Sequence, residues 1–346
     1  MMETDFDLKW VAFEITPRCN LDCIHCRTNA SMQLKDVLTF KNITDTIDEI
    51  AKEFKPVVVL TGGEPLLRND VFEIADYIRA QGMRVGLATN GTLVDYSKAL
   101  EIKRHIDIVS LSIDGSSSSI HDDFRHINGA FDKTIKAASI FKELGINFIV
   151  NSSFTKRNQN DIENTYRLSK KIGASAWYMF MIVPTGRGAD INDELISKTD
   201  YEKILKWHFY MELKEKDIFV RPTCAPEYYA VCDIEARKNN IDYTRRNLSF
   251  STGGAKGCLA GQKIAFINYE GNVKPCSYFL RDAGNILEKG FLDIWHNSKI
   301  FKDMRNFNSY NKKCSTCKYI NVCGGCRARA DAYYGDYLAI DPYCFV

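Results

Sequence analysis

Six short apolar runs, each separated from the next by a helix-length segment, constrain this chain more than any other feature. Pro56-Val-Val-Val-Leu60 is the clearest of them. It is a β-branched run closing on Thr-Gly-Gly, as expected of a strand buried on both faces. The others are Trp10 to Ile15 and strands expected at 83–88, 107–113, 146–152 and 176–183. Between them apolar residues recur at helical spacing, as Ile43, Ile47, Ile50 and Phe54 do, which predicts helices over 40–54, 70–81, 95–103, 130–144 and 160–172. Strand–helix–strand repetition implies right-handed crossovers and an α/β fold with a parallel sheet. Such sheets carry their functional loops at the carboxyl ends of the strands. Six units are too few to close an eight-stranded barrel.

The cysteines divide the chain differently. Three lie at Cys19, Cys23 and Cys26, none between residues 27 and 223, and nine from Cys224 onward. At 346 residues the chain suits a large α/β unit followed by a smaller one. A net charge of +2 points to neither nucleic acid nor a membrane surface. The sequence shows no signal-peptide pattern and no apolar stretch of membrane-spanning length, so a cytoplasmic protein with reduced, metal-binding thiols is expected.

The run Thr16-Pro-Arg-Cys-Asn-Leu-Asp-Cys-Ile-His-Cys26 follows the first strand with the spacing C-x3-C-x2-C. Three thiolates on one loop can hold three corners of a cubane iron–sulfur cluster and leave the fourth iron open. A zinc knuckle is the alternative, with His25 as a fourth ligand, but zinc sites favour C-x2-C pairs. The run closely resembles the signature of the radical S-adenosylmethionine (radical SAM) enzymes. That resemblance implies an open, partial (β/α)6 barrel. It also implies SAM chelating the open iron and one-electron cleavage to a 5′-deoxyadenosyl radical, with a low-potential donor such as flavodoxin or ferredoxin. By the same resemblance Gly62-Gly63-Glu64-Pro65 is the loop whose backbone meets the SAM amino group, although a tight strand-to-helix turn explains it equally well. Asn90, Ser112, Asp114, Asn151 and Ser153, at or after strand ends, offer groups for the ribose or the SAM carboxylate. A turn-capping role is the alternative for Asp114. His25 is read as packing near the adenine.

From Cys258 the pattern is Cys258-x12-Gly271-x4-Cys276, then Cys314-x2-Cys317-x5-Cys323-x2-Cys326, then Cys344. It resembles the SPASM domain, which binds auxiliary [4Fe–4S] clusters, with one inner gap a residue shorter than usual. A zinc ribbon is the alternative, though its ligand pairs are usually farther apart than five residues. The resemblance implies two auxiliary clusters, one on Cys314, Cys317, Cys323 and Cys344 and the other on Cys258, Cys276 and Cys326. Cys224 and Cys232 remain: either the second cluster keeps an open iron or one of them completes it, Cys224 in Arg221-Pro-Thr-Cys-Ala-Pro226 being the better candidate because prolines flank its loop, with a buried free thiol as the alternative. The expected organisation is a partial barrel over 1–218, a connector over 219–256 marked by Arg237-Lys-Asn-Asn and Ser249-Phe-Ser-Thr-Gly-Gly, and a SPASM domain over 257–346.

Leu60 to Arg68, Val183-Pro-Thr-Gly-Arg-Gly188, Gly257-Cys-Leu-Ala-Gly261 and Gly335 to Cys344 together resemble the tetrapyrrole-modifying radical SAM enzymes. Cys26-Arg27 looks most like the heme synthase branch, which oxidatively decarboxylates two propionates of iron-coproporphyrin III. A carboxylated substrate needs cationic partners, and Arg68, Arg157, Arg187 and Arg221 lie near expected strand ends. Arg187 and Arg221 are the candidates, surface roles being the alternative. Glu227 argues against a propionate nearby. A ribosomal-peptide maturase acting on a precursor peptide is the other reading, although the chain leaves no room before Cys19 for the peptide-binding domain such enzymes often carry.

Overall fold

A computed structural model describes residues 6–243 and 257–346. All six expected strands are present: β1 (Trp10–Thr16), β2 (Val57–Gly62), β3 (Arg84–Thr89), β4 (Ile108–Ser112), β5 (Phe148–Phe154) and β6 (Ala176–Met181). Five helices connect or follow them as the periodicity requires: α1 (Phe40–Glu53), α2 (Val71–Ala80), α3 (Tyr96–His105), α5 (Ala130–Leu144) and α6 (Ile162–Lys171). The expected spacing also sets their packing, since Ile43, Ile47 and Ile50 are the fully buried face of α1. Thr39 starts that helix through a reciprocal cap with Asn42, which satisfies amide groups the first turn leaves open.

Four elements of this part were not legible. Helix α4 (Ser118–Arg125) fills the gap between β4 and α5, and α7 (Lys198–Lys214) follows β6. The stretch expected to be a connector supplies β7 (Phe219–Thr223), parallel to β6, and α8 (Tyr228–Lys238). β7 reads poorly as a strand because Pro222 lacks an amide donor, and such a residue is tolerated on an edge strand. The run from Ser249 to Gly254 lies outside the described residues.

The carboxy-terminal part continues the same sheet. β8 (Ile264–Ile267) pairs parallel to β1, while β9 (Asn272–Lys274) and β10 (Gly284–Asn285) extend it antiparallel. The order is β10-β9-β8-β1-β2-β3-β4-β5-β6-β7, so eight parallel strands stand where six were expected. Helices α9 (Phe291–Asn297), α10 (Lys299–Arg305), α11 (Lys312–Ser315) and α12 (Arg327–Tyr334) complete the chain. One apolar core runs from Leu8 through the helices behind β1–β6 to Trp295 and Phe301, so it ties the carboxy-terminal part to the sheet. No helix among the described residues is long and apolar enough to cross a membrane.

Candidate active site

Residues from each of β1–β8 line a cavity of about 470 Å³, with Ala12, Thr61, Ala88, Ser110, Tyr178 and Arg221 among its walls. That volume is within the range of small-molecule sites. The loop after β1 closes one side, and residues after Cys224 close the other.

Cys19, Cys23 and Cys26 all line the cavity, and none is in a disulfide. Each sulfur has a donor in reach: the Leu21 amide 3.4 Å from Cys19 Sγ, Arg125 Nη1 3.6 Å from Cys23 Sγ, and the Thr28 hydroxyl 3.8 Å from Cys26 Sγ. Burial pushes the Cys19 thiol up to about 12 and raises that of Cys23. A cationic group between the sulfurs would favour thiolates, and three such donors on one loop fit a cubane cluster. Among the described residues no three His, Cys, Asp or Glu side chains converge on a single ion. Cubane corners are held farther apart than the ligands of one tetrahedral zinc.

The two glycines after β2 serve this loop. Gly63 donates its amide to the Thr16 carbonyl at 2.8 Å, and Glu64 donates to the Arg18 carbonyl at 2.7 Å. A Cβ at Gly63 would stand 2.2 Å from the Arg18 oxygen and 2.8 Å from Cys19 Cβ. Both glycines also face the cavity. Glu64 and Pro65 do not line it. Glu64 is fully buried and accepts from the Thr89 hydroxyl and the Asn90 amide, both at 2.8 Å, which clamps the loops after β2 and β3 together. Asn90 reaches the cavity, but its amide donates to Asn20 at 3.0 Å.

Ser112, Asn151 and Ser153 line the cavity as expected, and Asn151 Oδ1 is buried without a partner. His25 packs against Phe124 with ring centroids 4.5 Å apart and ring planes tilted by 35°, and its Nδ1 is also buried and unpartnered. Burial, reinforced by nearby Arg125, holds the imidazole well below its ordinary range, so it is neutral. Orphaned polar atoms beside the three-thiol loop fit a nucleoside-bearing ligand such as SAM. Asp114 departs from expectation. It is fully buried outside the cavity, bound to Arg125 Nε at 2.5 Å and to the Ser153 amide at 2.7 Å. A carboxylate held this way organises the site and is not free to meet the ligand.

Arg68 and Arg157 have structural roles. Arg68 is buried against the Ile15 and Leu38 carbonyls and Asp70, and Arg157 pairs on the surface with Asp123 and Glu194. Arg187 reaches the cavity wall, yet its guanidinium donates to the Cys23 and Ala30 carbonyls at 2.9 and 3.2 Å. Arg221 alone among the four faces the cavity with no hydrogen-bond or carboxylate partner among the described residues. Glu227 points elsewhere: it is fully buried, accepts from the Tyr201 hydroxyl at 2.6 Å, and lies 3.9 Å from Arg329. Burial and Asp341 push its carboxyl up to about 8. Arg125 and Tyr278 also line the cavity and were not singled out, and Arg27, noted in the sequence only for its place after Cys26, lines it too. Arg125 belongs to a helix whose polar sequence reads as a solvated face.

Cys258, Cys276 and Cys326 meet at the far wall, with Cys224 beside them. Cys314, Cys317, Cys323 and Cys344 form a second group nearer the surface, where Cys317 and Cys323 each have a backbone amide 3.4 Å from sulfur. Cys232 belongs to neither: it is buried in α8, 3.7 Å from the Tyr243 hydroxyl.

Comparison with known proteins agrees with this geometry. Residues 13–169 match the radical SAM superfamily, and residues 258–318 match the SPASM iron–sulfur cluster-binding domain. An AdoMet-dependent heme synthase of Methanosarcina barkeri is 42% identical over 96% of this chain and 95% of its own. Its counterpart from Nitratidesulfovibrio vulgaris is 36% identical over 97% and 92%. The crystal structure of Streptococcus suis SuiB bound to precursor peptide SuiA superposes with a TM-score of 0.77 at 18% identity, covering 98% of this chain and 76% of that one.

Proposed function

The chain belongs to the radical SAM enzymes that carry a SPASM domain, and from that premise we propose that it decarboxylates propionate side chains of an iron-coproporphyrin to vinyl groups. The observation that carries this reading is Arg221, a guanidinium without a partner among the described residues, facing the cavity of a chain so similar to heme synthases along its whole length. A propionate that lost its hydration on entering would gain a charge-assisted hydrogen bond there, worth roughly 1.5–3 kcal/mol. Glu227, the one carboxylate the sequence set against this reading, is turned into its own buried network and does not line the cavity.

In the reaction a hydrogen atom leaves the carbon β to the carboxylate. The carbon–carboxylate bond then breaks, carbon dioxide departs, the vinyl group forms, and one electron is left over. Bound SAM and the clusters supply the hydrogen acceptor and the one-electron chemistry, and a low-potential carrier such as a flavodoxin or ferredoxin starts the cycle. Cys19, Cys23 and Cys26 would hold the SAM-binding cluster. Gly62, Gly63, Ser112, Asn151, Ser153 and neutral His25 would line the SAM site. Glu64, Asn90, Asp114 and Arg187 hold those loops in register.

The test is anaerobic turnover of reconstituted, reduced protein with SAM and iron-coproporphyrin III, with products resolved by mass spectrometry. A monovinyl intermediate followed by heme is expected. If the porphyrin neither binds nor stimulates 5′-deoxyadenosine formation, and a peptide encoded beside this gene does, the chain is a peptide maturase instead.

A further inference from the structure

Among the described residues, four arginines and no carboxylate line the cavity. Two of the four are committed to the protein itself. Arg125 grips Asp114 at 2.5 Å, and Arg187 donates to the Cys23 and Ala30 carbonyls. Arg221 has no such partner, and Arg27 is the fourth. Arg27 makes no hydrogen bond among the described residues, and its Nε is buried without one.

Charge, rather than hydrogen bonding, places Arg27. Its guanidinium lies 3.9 Å from the Glu14 carboxylate, beyond hydrogen-bond reach, and 5.4 Å from the centre of the Phe266 ring. Glu14 is fully buried at the end of β1 and accepts from the Tyr269 amide at 3.4 Å, so it does not depend on Arg27 for its position. Such a pair aims the guanidinium and leaves its N–H groups free to donate.

Arg27 and Arg221 also stand at opposite ends of the parallel sheet. Phe266, against which Arg27 packs, is on β8 and pairs with Ala12 of β1. Arg221 is on β7 and pairs with Tyr178 of β6. Six strands, β1 to β6, separate β8 from β7, yet the sheet curls so that both guanidiniums reach one cavity. Trp10, Ala12 and Ile264 near one of them, and Phe180 and Pro222 near the other, give the walls between an apolar surface. A flat apolar body with carboxylates on different edges matches that arrangement.

We propose that Arg27 is a second carboxylate anchor, so that one substrate molecule is held by two of its carboxylates at once, one on Arg27 and one on Arg221. This rests on the reading of the substrate as a carboxylated porphyrin. A ring tied at one edge pivots about that edge. One tied at two presents a fixed carbon to the SAM site.

The test is equilibrium binding of iron-coproporphyrin III to the anaerobic, reconstituted protein without SAM or reductant, followed by the absorbance of the porphyrin. Its tetramethyl ester is measured alongside in the same detergent. Arg27→Gln should weaken binding of the free acid about tenfold or more, while the ester binds wild type and variant alike. Arg27→Lys should recover part of the loss. Arg221→Gln should weaken the acid similarly, and the Arg27→Gln/Arg221→Gln double variant about a hundredfold, because two different carboxylates lose their partners. Removing Arg27 alone leaves Glu14 buried and unpaired. Should that variant lose its iron, Glu14→Gln/Arg27→Gln, in which neither charge is left alone, carries the same comparison. In a variant that keeps its iron, unchanged affinity for the acid, or an equal loss for acid and ester, would overturn Arg27 as an anchor. A double-variant loss no larger than either single one would mean that both arginines hold the same carboxylate, and the two-point hold would fall. Wild-type protein that binds no iron-coproporphyrin would overturn the porphyrin reading, and the assignment with it.

Discussion

Arg221 and Arg187 carry the same charge and line the same cavity, yet their neighbours give them different roles. Arg187 spends its donors on the Cys23 and Ala30 carbonyls, so removing it loosens the three-thiol loop. Arg187→Ala should lower iron retained after desalting by up to about four per chain, the content of one cubane, as measured by iron assay. Arg221 has no such obligation among the described residues. Arg221→Ala should leave iron content unchanged and reduce kcat/KM for the porphyrin about tenfold or more, the equivalent of one charge-assisted bond. Steady-state kinetics set against iron content separate the two. A fall in iron for Arg221→Ala, or unaltered kcat/KM, would remove it from the substrate site.

At the scale of elements, what the sequence concealed is informative. Period and composition located β1–β6 because each carries a short cluster of apolar residues between helix-length segments, and α1 because its buried stripe is regular. Helix α4 was invisible: Ser118-Ser-Ile-His-Asp-Asp-Phe-Arg125 is mostly polar, and its polar side chains are needed inside. His121 and Arg125 are both buried on it, His121 accepting from the Asp114 amide at 3.1 Å and Arg125 gripping the Asp114 carboxylate. The site loops were legible as glycine, cysteine and polar residues at strand ends, but which atoms face the cavity depends on long-range partners. Glu64 and Asp114 looked like ligand groups and instead brace neighbouring loops.

The same helix gives the chain an acid-sensitive point. Burial, followed by the charge of Arg125, pushes His121 down to about 3. The unfolded chain takes up a proton near pH 6.5 and the folded chain does not, so stability is full above pH 6.5 and falls as pH drops below it. Between pH 6.5 and 5 this one group should cost about 2 kcal/mol. His121→Asn, which keeps an acceptor but cannot titrate, should flatten that part of the profile. Urea unfolding of the cluster-free protein at pH 7 and pH 5 measures it, and an unchanged slope in the variant would assign the acid loss to other groups.

For the whole molecule, the question is how the two cysteine systems depend on each other. They share one sheet, through β8 on β1, and one cavity, whose opposite walls carry the three-thiol loop and the Cys258 group. The core is continuous through Trp295 and Phe301, so the fold does not need the first loop to hold the second system in place. The ligands there are fixed by local contacts: the Arg329–Asp341 pair, the Gly257 amide on the Val322 carbonyl, and the turns around Cys314 and Cys323. Replacing Cys19, Cys23 and Cys26 with Ala should therefore lower iron from about twelve to about eight per chain. Formation of 5′-deoxyadenosine should end if, as proposed, that loop holds the SAM-binding cluster. The auxiliary clusters should still reduce with dithionite and give their resonances. Nucleoside still formed by the triple variant would place SAM cleavage elsewhere. Loss of all iron would show that the two walls of the cavity assemble together, and that the carboxy-terminal clusters depend on the first loop for a fold that its core otherwise provides.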